Sequence, residues 1–248
     1  MTTVLVTGGA KGVGAAIVRA LAAAGHDVDF TIRSSVDQGQ ALAAEIAAAH
    51  PERAIRALPL DLSDRAALDA FCEAREDTTY FGLIHNAGQP YDALAAMLDQ
   101  DKAEAAMQVN FWVFTRLAKC LMRNMIRARA GRIVAIGSVA ALRGNAGNAA
   151  YAATKGALIS YAKTLAVETG KRGLTVNVIA PGFVDTDMMA PYAAYRDKMQ
   201  AQIPAGRFAR PEEVAGLAAF LMSEPAAYIS GTVLPVDGGL TAQLGVHR

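Results

Sequence analysis

The chain of 248 residues has few cysteines and no strong charge bias. Its two cysteines, Cys72 and Cys120, cannot build a disulfide framework, and no Cys and His cluster has the spacing of a zinc site, so we expect no metal. Lys and Arg number 24 against 23 Asp and Glu, a balance that argues against nucleic acid or an anionic membrane as a partner. No apolar run approaches the ~18 residues of a membrane span. The N-terminus lacks the basic and apolar regions of a signal peptide, so we expect a cytoplasmic protein.

Short β-branched apolar runs alternate along the chain with longer alanine-rich segments of helical period. The predicted strands cover residues 4–6, 28–32, 54–60, 81–85, 132–137, 175–180 and 232–236. The predicted helices cover residues 12–24, 36–49, 64–76, 99–128, 151–170 and 211–222. Repeated alternation of strand and helix is typical of a doubly wound α/β fold, and near-continuous apolar runs indicate strands covered on both faces. The sequence therefore predicts one Rossmann-type domain over residues 1–248, with a seven-stranded parallel sheet and helices on both faces.

A glycine-rich loop follows the first predicted strand and runs directly into the first predicted helix. It reads Thr7-Gly8-Gly9-Ala10-Lys11-Gly12-Val13-Gly14. In this position a loop without side chains lets the backbone and a helix N-terminus approach a pyrophosphate. A glycine cluster can also be a plain structural turn, but its place between a strand and a helix favours a dinucleotide site.

Several further motifs accompany this loop, in a fixed order over the whole chain. They are Asn86-Ala87-Gly88, Asn110, Ser138, Tyr151-x-x-x-Lys155 and Pro181-Gly182. With Thr7 and the spacing of Gly8, Gly12 and Gly14, the chain resembles the short-chain dehydrogenase/reductase family. The resemblance implies a nicotinamide cofactor bound by Thr7, Gly8, Lys11, Gly12, Val13, Gly14, Arg33, Ser34, Asp61, Leu62, Asn86, Ala87, Gly88, Tyr151, Lys155, Pro181, Gly182, Val184 and Thr186.

The end of the second strand indicates which nicotinamide cofactor is used. An NAD site typically has a carboxylate at this position that binds the ribose 2′-hydroxyl, whereas this strand ends in Ile32-Arg33-Ser34-Ser35. A guanidinium and hydroxyl groups suit a 2′-phosphate, and Lys11 lies where NADP-preferring relatives also carry a base. Lys11 and Arg33 could each be an ordinary solvated charge, but together they predict NADP(H).

Tyr151 and Lys155 are four residues apart in a predicted helix and therefore share one face. A neighbouring ammonium and a cationic oxidised nicotinamide are expected to lower the pKa of the Tyr151 hydroxyl from its usual ~10. The resemblance implies that Ser138 donates a hydrogen bond to the substrate carbonyl and that Tyr151 protonates it. It also implies that Lys155 holds the nicotinamide ribose and that Asn110 anchors a water linking Lys155 to solvent.

Within the family, the second half of the chain is most similar to the β-ketoacyl-acyl-carrier-protein reductases. The stretches that carry this similarity are 131–138, 172–188, 203–207, 228–231 and 236–239. In those reductases, basic positions matched by Arg129 and Arg172 dock the acidic carrier protein; both could equally be surface arginines. The irregular segment at about 183–210 is predicted to be a substrate lid. The leading hypothesis is thus reduction of a 3-oxoacyl thioester, against reduction of another ketone, alcohol or sugar, or an NADP-binding regulator without turnover.

A homotetramer, or a hetero-assembly with a related chain, is also expected from the resemblance and from apolar residues on two long helices. These residues are Met107, Phe111, Phe114, Leu117, Leu121, Ala157, Tyr161 and Leu165. His85 stands where the family usually carries an asparagine and is interpreted as a hydrogen-bonding residue at the strand end. The sequence assigns no role to Asp29 or Trp112, and it does not specify the acyl chain length or the pathway.

Overall fold

A parallel sheet of seven strands forms the centre of the computed structural model, which describes residues 2–243. The strands are β1 (Thr3–Thr7), β2 (Asp27–Ile32), β3 (Ile55–Pro59), β4 (Gly82–His85), β5 (Gly131–Ile136), β6 (Leu174–Pro181) and β7 (Val233–Val236). They lie in the order β3-β2-β1-β4-β5-β6-β7, and every neighbouring pair is parallel. The order reverses between β1 and β4, which is where open α/β sheets bind ligands. The predicted Rossmann-type fold is confirmed.

Helices cover both faces of this sheet. They are α1 (Gly12–Ala23), α2 (Val36–Ala49), α3 (Arg65–Glu73), α4 (Gln100–Met107), α5 (Val113–Ala128), α6 (Ala149–Thr169), α7 (Arg196–Gln200) and α8 (Pro211–Met222). Helices α1, α2 and α8 bury one hydrophobic cluster against the sheet, and α3, α5 and α6 bury a second one on the opposite face. Each buried strand thus packs on two sides, as its continuous apolar sequence predicted. No helix within residues 2–243 is long and apolar enough to cross a membrane.

The predicted single helix over 99–128 is interrupted. Residues Gln108–Trp112 form a π-helical turn between α4 and α5. A π turn adds one residue to the helical repeat, and such turns are frequent at functional sites. Apolar periodicity continues on either side of the extra residue, so the sequence pattern did not reveal it. Asn110 lies at the centre of this turn.

Eight apolar residues on the two long helices are expected to lie in a subunit interface, and four of them belong instead to the core of the subunit. Phe114, Leu117, Leu121 and Leu165 are buried against the sheet. The prediction that they need a partner subunit is wrong, because α5 and α6 pack their apolar stripes onto β4, β5 and β6. The other four, Met107, Phe111, Ala157 and Tyr161, are only partly buried, and Trp112 next to Phe111 is 49% exposed.

Asp29 lies in the middle of β2 and is 3% exposed. Its two carboxylate oxygens are both occupied. Arg56 donates to Oδ1 at 2.6 Å, and the Tyr80 hydroxyl donates to Oδ2 at 2.5 Å. A buried carboxylate is tolerated when it is paired in this way. Asp29 therefore has a structural role that joins β2, β3 and the segment before β4.

Candidate active site

The glycine loop forms the floor of a cleft at the carboxyl ends of β1 and β4. Gly8 and Gly12 have φ of 67° and 51°, values that favour glycine. A Cβ on Gly14 would lie 2.0 Å from the Gly8 carbonyl oxygen, so no larger residue fits there. Lys11 precedes α1 and its side chain does not cap the helix. The N–H groups of the first turn are thus left to an external acceptor, which is the arrangement that binds a pyrophosphate.

Thr7 acts beneath the cleft and does not line it. Its hydroxyl oxygen accepts the backbone N–H groups of Asn86 and Ala87, each at 3.0 Å. The Asn86 side-chain amide in turn donates to the carbonyl oxygens of Thr7 and Gly8. These bonds join the loop after β4 to the glycine loop. Two segments distant in sequence therefore present one continuous surface.

Two cavities meet above this surface. The inner cavity, of about 560 Å³, is lined by most of the predicted cofactor residues: Gly8, Lys11, Gly12, Val13, Gly14, Asn86, Ala87, Gly88, Tyr151, Lys155, Pro181, Gly182, Val184 and Thr186. The outer cavity, of about 810 Å³, is lined on one side by residues 188–202. Ser138 and Tyr151 line both cavities. A group that enters from the outer cavity and one held in the inner cavity would therefore meet at these two hydroxyls.

Ser138 and Tyr151 are each arranged to donate a proton or a hydrogen bond. The Ser138 oxygen accepts the N–H of Ala140 at 3.1 Å, which leaves its own O–H to donate. Burial raises the pKa of Tyr151 to about 12, although a hydrogen bond with Ser138 acts in the opposite direction. Desolvation therefore dominates in the protein alone, and the lowering of the Tyr151 pKa expected from Lys155 together with an oxidised nicotinamide stays a prediction. Tyr151 is consequently a protonated acid at neutral pH.

Lys155 is 3% exposed and lies behind Tyr151. Its ammonium donates to the Ile136 carbonyl oxygen at 2.9 Å and stands 5.7 Å from the centre of the Tyr151 ring. Within residues 2–243, no carboxylate pairs with it. Burial lowers the pKa of Lys155 to about 8, which keeps most of the side chain charged at pH 7.

Asn110 is buried at the π turn and its side chain is held from three directions. Its amide nitrogen donates to the Gln89 carbonyl at 3.0 Å and to the Thr154 hydroxyl at 2.9 Å. Its amide oxygen accepts the Gln89 N–H at 2.6 Å. A Cβ placed on Gly88 would lie 3.4 Å from the Lys155 nitrogen and 3.6 Å from this amide oxygen. Gly88 therefore borders the space that separates Asn110 from Lys155.

The remaining predicted cofactor residues lie outside the inner cavity. Arg33 and Ser34 are exposed after β2, and Asp61 and Leu62 follow β3. Asp61 accepts the backbone N–H and the hydroxyl of Ser63, and these bonds lower its pKa, with a smaller contribution from the charge of Arg33. Arg33 and Asp61 thus lie near each other at the outer end of the cleft.

Comparison with known proteins identifies the family. The model described as enoyl-(acyl carrier protein) reductase matches residues 8–241. The 3-oxoacyl-(acyl-carrier-protein) reductase FabG of Escherichia coli is 39% identical over 95% of this chain and 96% of its own. The reductase MabA of Mycobacterium tuberculosis, which bears the same enzyme name, is 38% identical over 96% of this chain and 92% of its own. The chain belongs to the short-chain dehydrogenase/reductase family.

Solved structures agree with this family. A short-chain dehydrogenase/reductase from Serratia marcescens has a TM-score of 0.90 at 33% identity, over 97% of this chain and 98% of its own. A candidate NAD(P)-dependent gluconate 5-dehydrogenase from Beutenbergia cavernae, solved with NADP, has a TM-score of 0.92 at 35% identity. It covers 98% of this chain and 97% of its own. The sequence thus identified the family correctly.

The outer cavity of this short-chain dehydrogenase/reductase is lined by both apolar and polar side chains. Phe183, Met188, Met189, Tyr192, Tyr195 and Met199 form an apolar wall. The polar side chains of Arg143, Asn145, Asn148, Gln202 and Gln243 line the same cavity. The Tyr192 hydroxyl and the Asn148 amide both donate to Asp92, so these three lining residues are joined, and burial raises the pKa of the Asp92 carboxyl. The sequence singled out none of the polar residues, because they belong to no family motif.

The two arginines matched to carrier-protein docking lie at one end of the molecule. Arg129 ends α5 with φ of 52°, and its guanidinium donates to the Lys171 carbonyl at 3.2 Å. Arg172 follows Lys171 directly in a short 3-10 turn and is exposed. Three cationic side chains therefore come from two adjacent segments.

Proposed function

We propose that the protein reduces 3-oxoacyl thioesters carried on acyl carrier protein to 3-hydroxyacyl thioesters, with NADPH as the reductant. The observation that supports this best is the pair of hydroxyls, Ser138 and Tyr151, at the junction of a nucleotide-sized cavity and a larger one with an apolar wall. Two curated relatives, each similar over more than nine-tenths of both chains, carry the name of this activity.

The residues of the junction have separate tasks in this reaction. NADPH, when bound, supplies the hydride that reaches the substrate carbon. Ser138 donates a hydrogen bond to the carbonyl oxygen and stabilises its developing negative charge. Tyr151 gives its proton to the same oxygen, which leaves a hydroxyl on the product. Lys155 holds the nicotinamide ribose and lies close enough to Tyr151 to stabilise the phenolate left behind.

Proton return completes the cycle, because Tyr151 must be reprotonated before the next turnover. We assign Asn110 to anchoring a water that connects Lys155 to solvent. The amide oxygen of Asn110 keeps one lone pair beyond its bond to Gln89, and the narrow space beside Gly88 separates it from Lys155.

The choice of NADPH rests on the cations at the outer end of the cleft. Lys11 and Arg33 are exposed there, and Ser34 adds a hydroxyl. No acidic residue stands at the end of β2, where a carboxylate would repel a 2′-phosphate. Asp61 and Leu62 are assigned to the adenine.

We assign Arg129 and Arg172 to docking of the acidic carrier protein. A cationic patch steers an acidic partner and affects its association more than it affects the chemistry. Substituting both arginines by glutamate should raise the KM for the carrier-bound thioester and leave the KM for the N-acetylcysteamine thioester unchanged. An equal change for both substrates would contradict docking.

Residues 183–210 are proposed to form the substrate lid of a single nucleotide-binding domain. Thr186, at the start of this segment, contacts the position of Gly12 across the inner cavity. Its apolar wall faces the outer cavity and suits an acyl chain.

We further propose a homotetramer that covers Trp112, with a hetero-assembly with a related chain as the alternative. Sedimentation of a fully active monomer would contradict both assemblies.

One assay tests the activity directly. NADPH oxidation is followed with acetoacetyl thioesters of carrier protein, coenzyme A and N-acetylcysteamine, beside a panel of ketones, sugars and alcohols with NADP⁺ where oxidation is required. We expect the highest kcat/KM for the thioesters. A higher value for a free ketone or a sugar would assign the protein to another carbonyl substrate, and no turnover with any of them would favour a regulator.

A further inference from the structure

His85 is a buried residue that the mechanism above leaves unused. It ends β4, directly before Asn86 of the inner cavity, and no part of it is exposed. One ring nitrogen, Nδ1, lies 3.1 Å from the Thr7 hydroxyl, and the other, Nε2, lies 3.2 Å from the Asn110 carbonyl oxygen. The ring also packs against Phe114, with 5.5 Å between ring centres. His85 thus joins a residue under the nucleotide cleft to the π turn.

The partners of His85 determine where its proton lies. A carbonyl oxygen can only accept, so Nε2 must carry a hydrogen that it donates to Asn110. The Thr7 oxygen already accepts the N–H groups of Asn86 and Ala87, and its one proton is free to be donated to Nδ1. The chain of bonds therefore has a single direction, and only the neutral imidazole with hydrogen on Nε2 satisfies every member.

The surroundings of the ring favour the same neutral form. Burial lowers the pKa of His85 to about 3, and the nearby charge of Lys155 acts in the same direction. A charged imidazole would carry hydrogen on both nitrogens and would lose the bond from Thr7. At neutral pH the direction of the chain is therefore fixed.

We propose that His85 is a positioning residue whose Nδ1 holds Thr7 under the nucleotide cleft and whose Nε2 holds the carbonyl of Asn110 at the catalytic turn. The Nδ1 side of the ring acts on the cofactor cavity, and the Nε2 side acts on the catalytic turn. Thr7 fixes Asn86 and Ala87, which line the cofactor cavity. Asn110 fixes Gln89 through two backbone bonds, and Gln89 adjoins Gly88 beside Lys155. The proposal rests on the assignment of Asn110 to proton return under the proposed function.

Two amide substitutions test the two ring nitrogens separately, because each removes one of the two hydrogen bonds and keeps the other. In His85→Asn an amide oxygen can take the place of Nδ1 and keep the bond from Thr7, but the shorter side chain does not reach Asn110. In His85→Gln the amide nitrogen reaches the place of Nε2 and keeps the bond to Asn110, but no acceptor remains for Thr7. The two variants form a matched pair, because both replace an imidazole by a neutral amide.

We expect the pair to affect different quantities. His85→Asn should lower kcat by roughly fivefold or more and leave the Kd for NADPH within twofold of the wild type, since one hydrogen bond is lost at the catalytic end. His85→Gln should raise the Kd for NADPH by a similar factor with a smaller effect on kcat. A purely structural role predicts that kcat and Kd change in the same proportion in both variants, and that result would overturn the proposal.

The tautomer is tested without any substrate. In protein labelled with ¹⁵N histidine, the nitrogen shifts of His85, assigned by its loss in His85→Gln, should report a neutral ring with hydrogen on Nε2 from pH 5 to pH 9. Hydrogen on Nδ1, or titration within that range, would overturn the proposal. NADPH binding and these shifts do not depend on which carbonyl compound is reduced. They therefore remain informative if the thioester assignment fails.

Discussion

Substituting Gly88 by alanine tests the arrangement of Asn110 and Lys155 with one methyl group. The new Cβ would lie 3.4 Å from the Lys155 nitrogen and 3.6 Å from the Asn110 amide oxygen, both ordinary van der Waals distances. Gly88 is not among the glycines with positive φ, so alanine can adopt its backbone conformation. The variant should therefore fold without strain. The methyl group would nevertheless occupy the space that a water between Lys155 and Asn110 needs.

The size of the effect follows from what the methyl group displaces. A positioned proton-transfer group contributes roughly 10² to 10⁴ in rate. Gly88→Ala leaves Tyr151 in place and removes only the route by which it is reprotonated, so the loss should lie at or below the lower end of that range. We expect kcat to fall by roughly tenfold to a hundredfold. The melting temperature should stay within about 2 °C of the wild type, because no contact is shorter than usual.

The measurements are steady-state kcat with the best thioester, the Kd for NADPH by fluorescence titration, and the melting temperature. Gly216→Ala is the matched control, since Gly216 is exposed within α8 and nothing lies within 4 Å of its added Cβ. That control should stabilise the helix by roughly 0.5–1 kcal/mol and leave kcat unchanged. If Gly88→Ala keeps more than half of the wild-type kcat, the space beside Gly88 does not serve proton return.

Three further predictions concern charged and proton-bearing groups. Tyr151→Phe should lower kcat by roughly 10² or more while the Kd for NADPH measured by titration stays similar, and a variant retaining a tenth of the rate would exclude Tyr151 as the acid. Arg33→Asp should erase a preference for NADPH over NADH of roughly tenfold or more in kcat/KM, and equal efficiency of the wild type with both cofactors would refute the assignment. Lys155 has a pKa of about 8 in the folded protein against 10.5 for a free lysine, so the unfolded chain binds more protons between these values and wild-type stability should rise with pH there. The free energy of unfolding, measured with denaturant, should rise from pH 8 to pH 10 in the wild type relative to Lys155→Met. A fall relative to that variant would contradict the lowered pKa of Lys155.

The fold could be predicted from local signals because both the strands and the helices leave a pattern of apolar residues in the sequence. Seven apolar runs and the intervening helical periods specify parallel strands covered on both faces, and the structure has them in that arrangement. The glycine loop could be placed as well, since Gly14 and Gly8 have a steric requirement that only glycine meets. The contact of Gly14 with the Gly8 carbonyl and the positive φ of Gly8 are constraints within the loop itself.

The features missed by sequence analysis depend on contacts between distant segments. The π turn at Asn110 follows from bonds to Gln89 and Thr154, which lie 21 and 44 residues away. The pairing of Asp29 with Tyr80 spans 51 residues. Hydrophobic periodicity contains no information about these contacts, because it indicates which face of a helix or strand is buried and not which polar group that face contacts. Buried polar residues in predicted strands are thus the places where a structure adds most.

Tyr151 and the neighbouring Lys155 are both protonated before any substrate arrives. The pKa of Tyr151 is raised to about 12 and that of Lys155 is lowered to about 8, so at pH 7 one is a neutral acid and the other an ammonium. Reduction of a carbonyl consumes a proton from the protein, whereas oxidation of an alcohol needs a base. A site that holds its protons in this way is prepared for reduction, and it must lose a proton before it can catalyse the reverse reaction. Burial, which destabilises the charge of Lys155, is therefore also what keeps Tyr151 in the form that reduction requires.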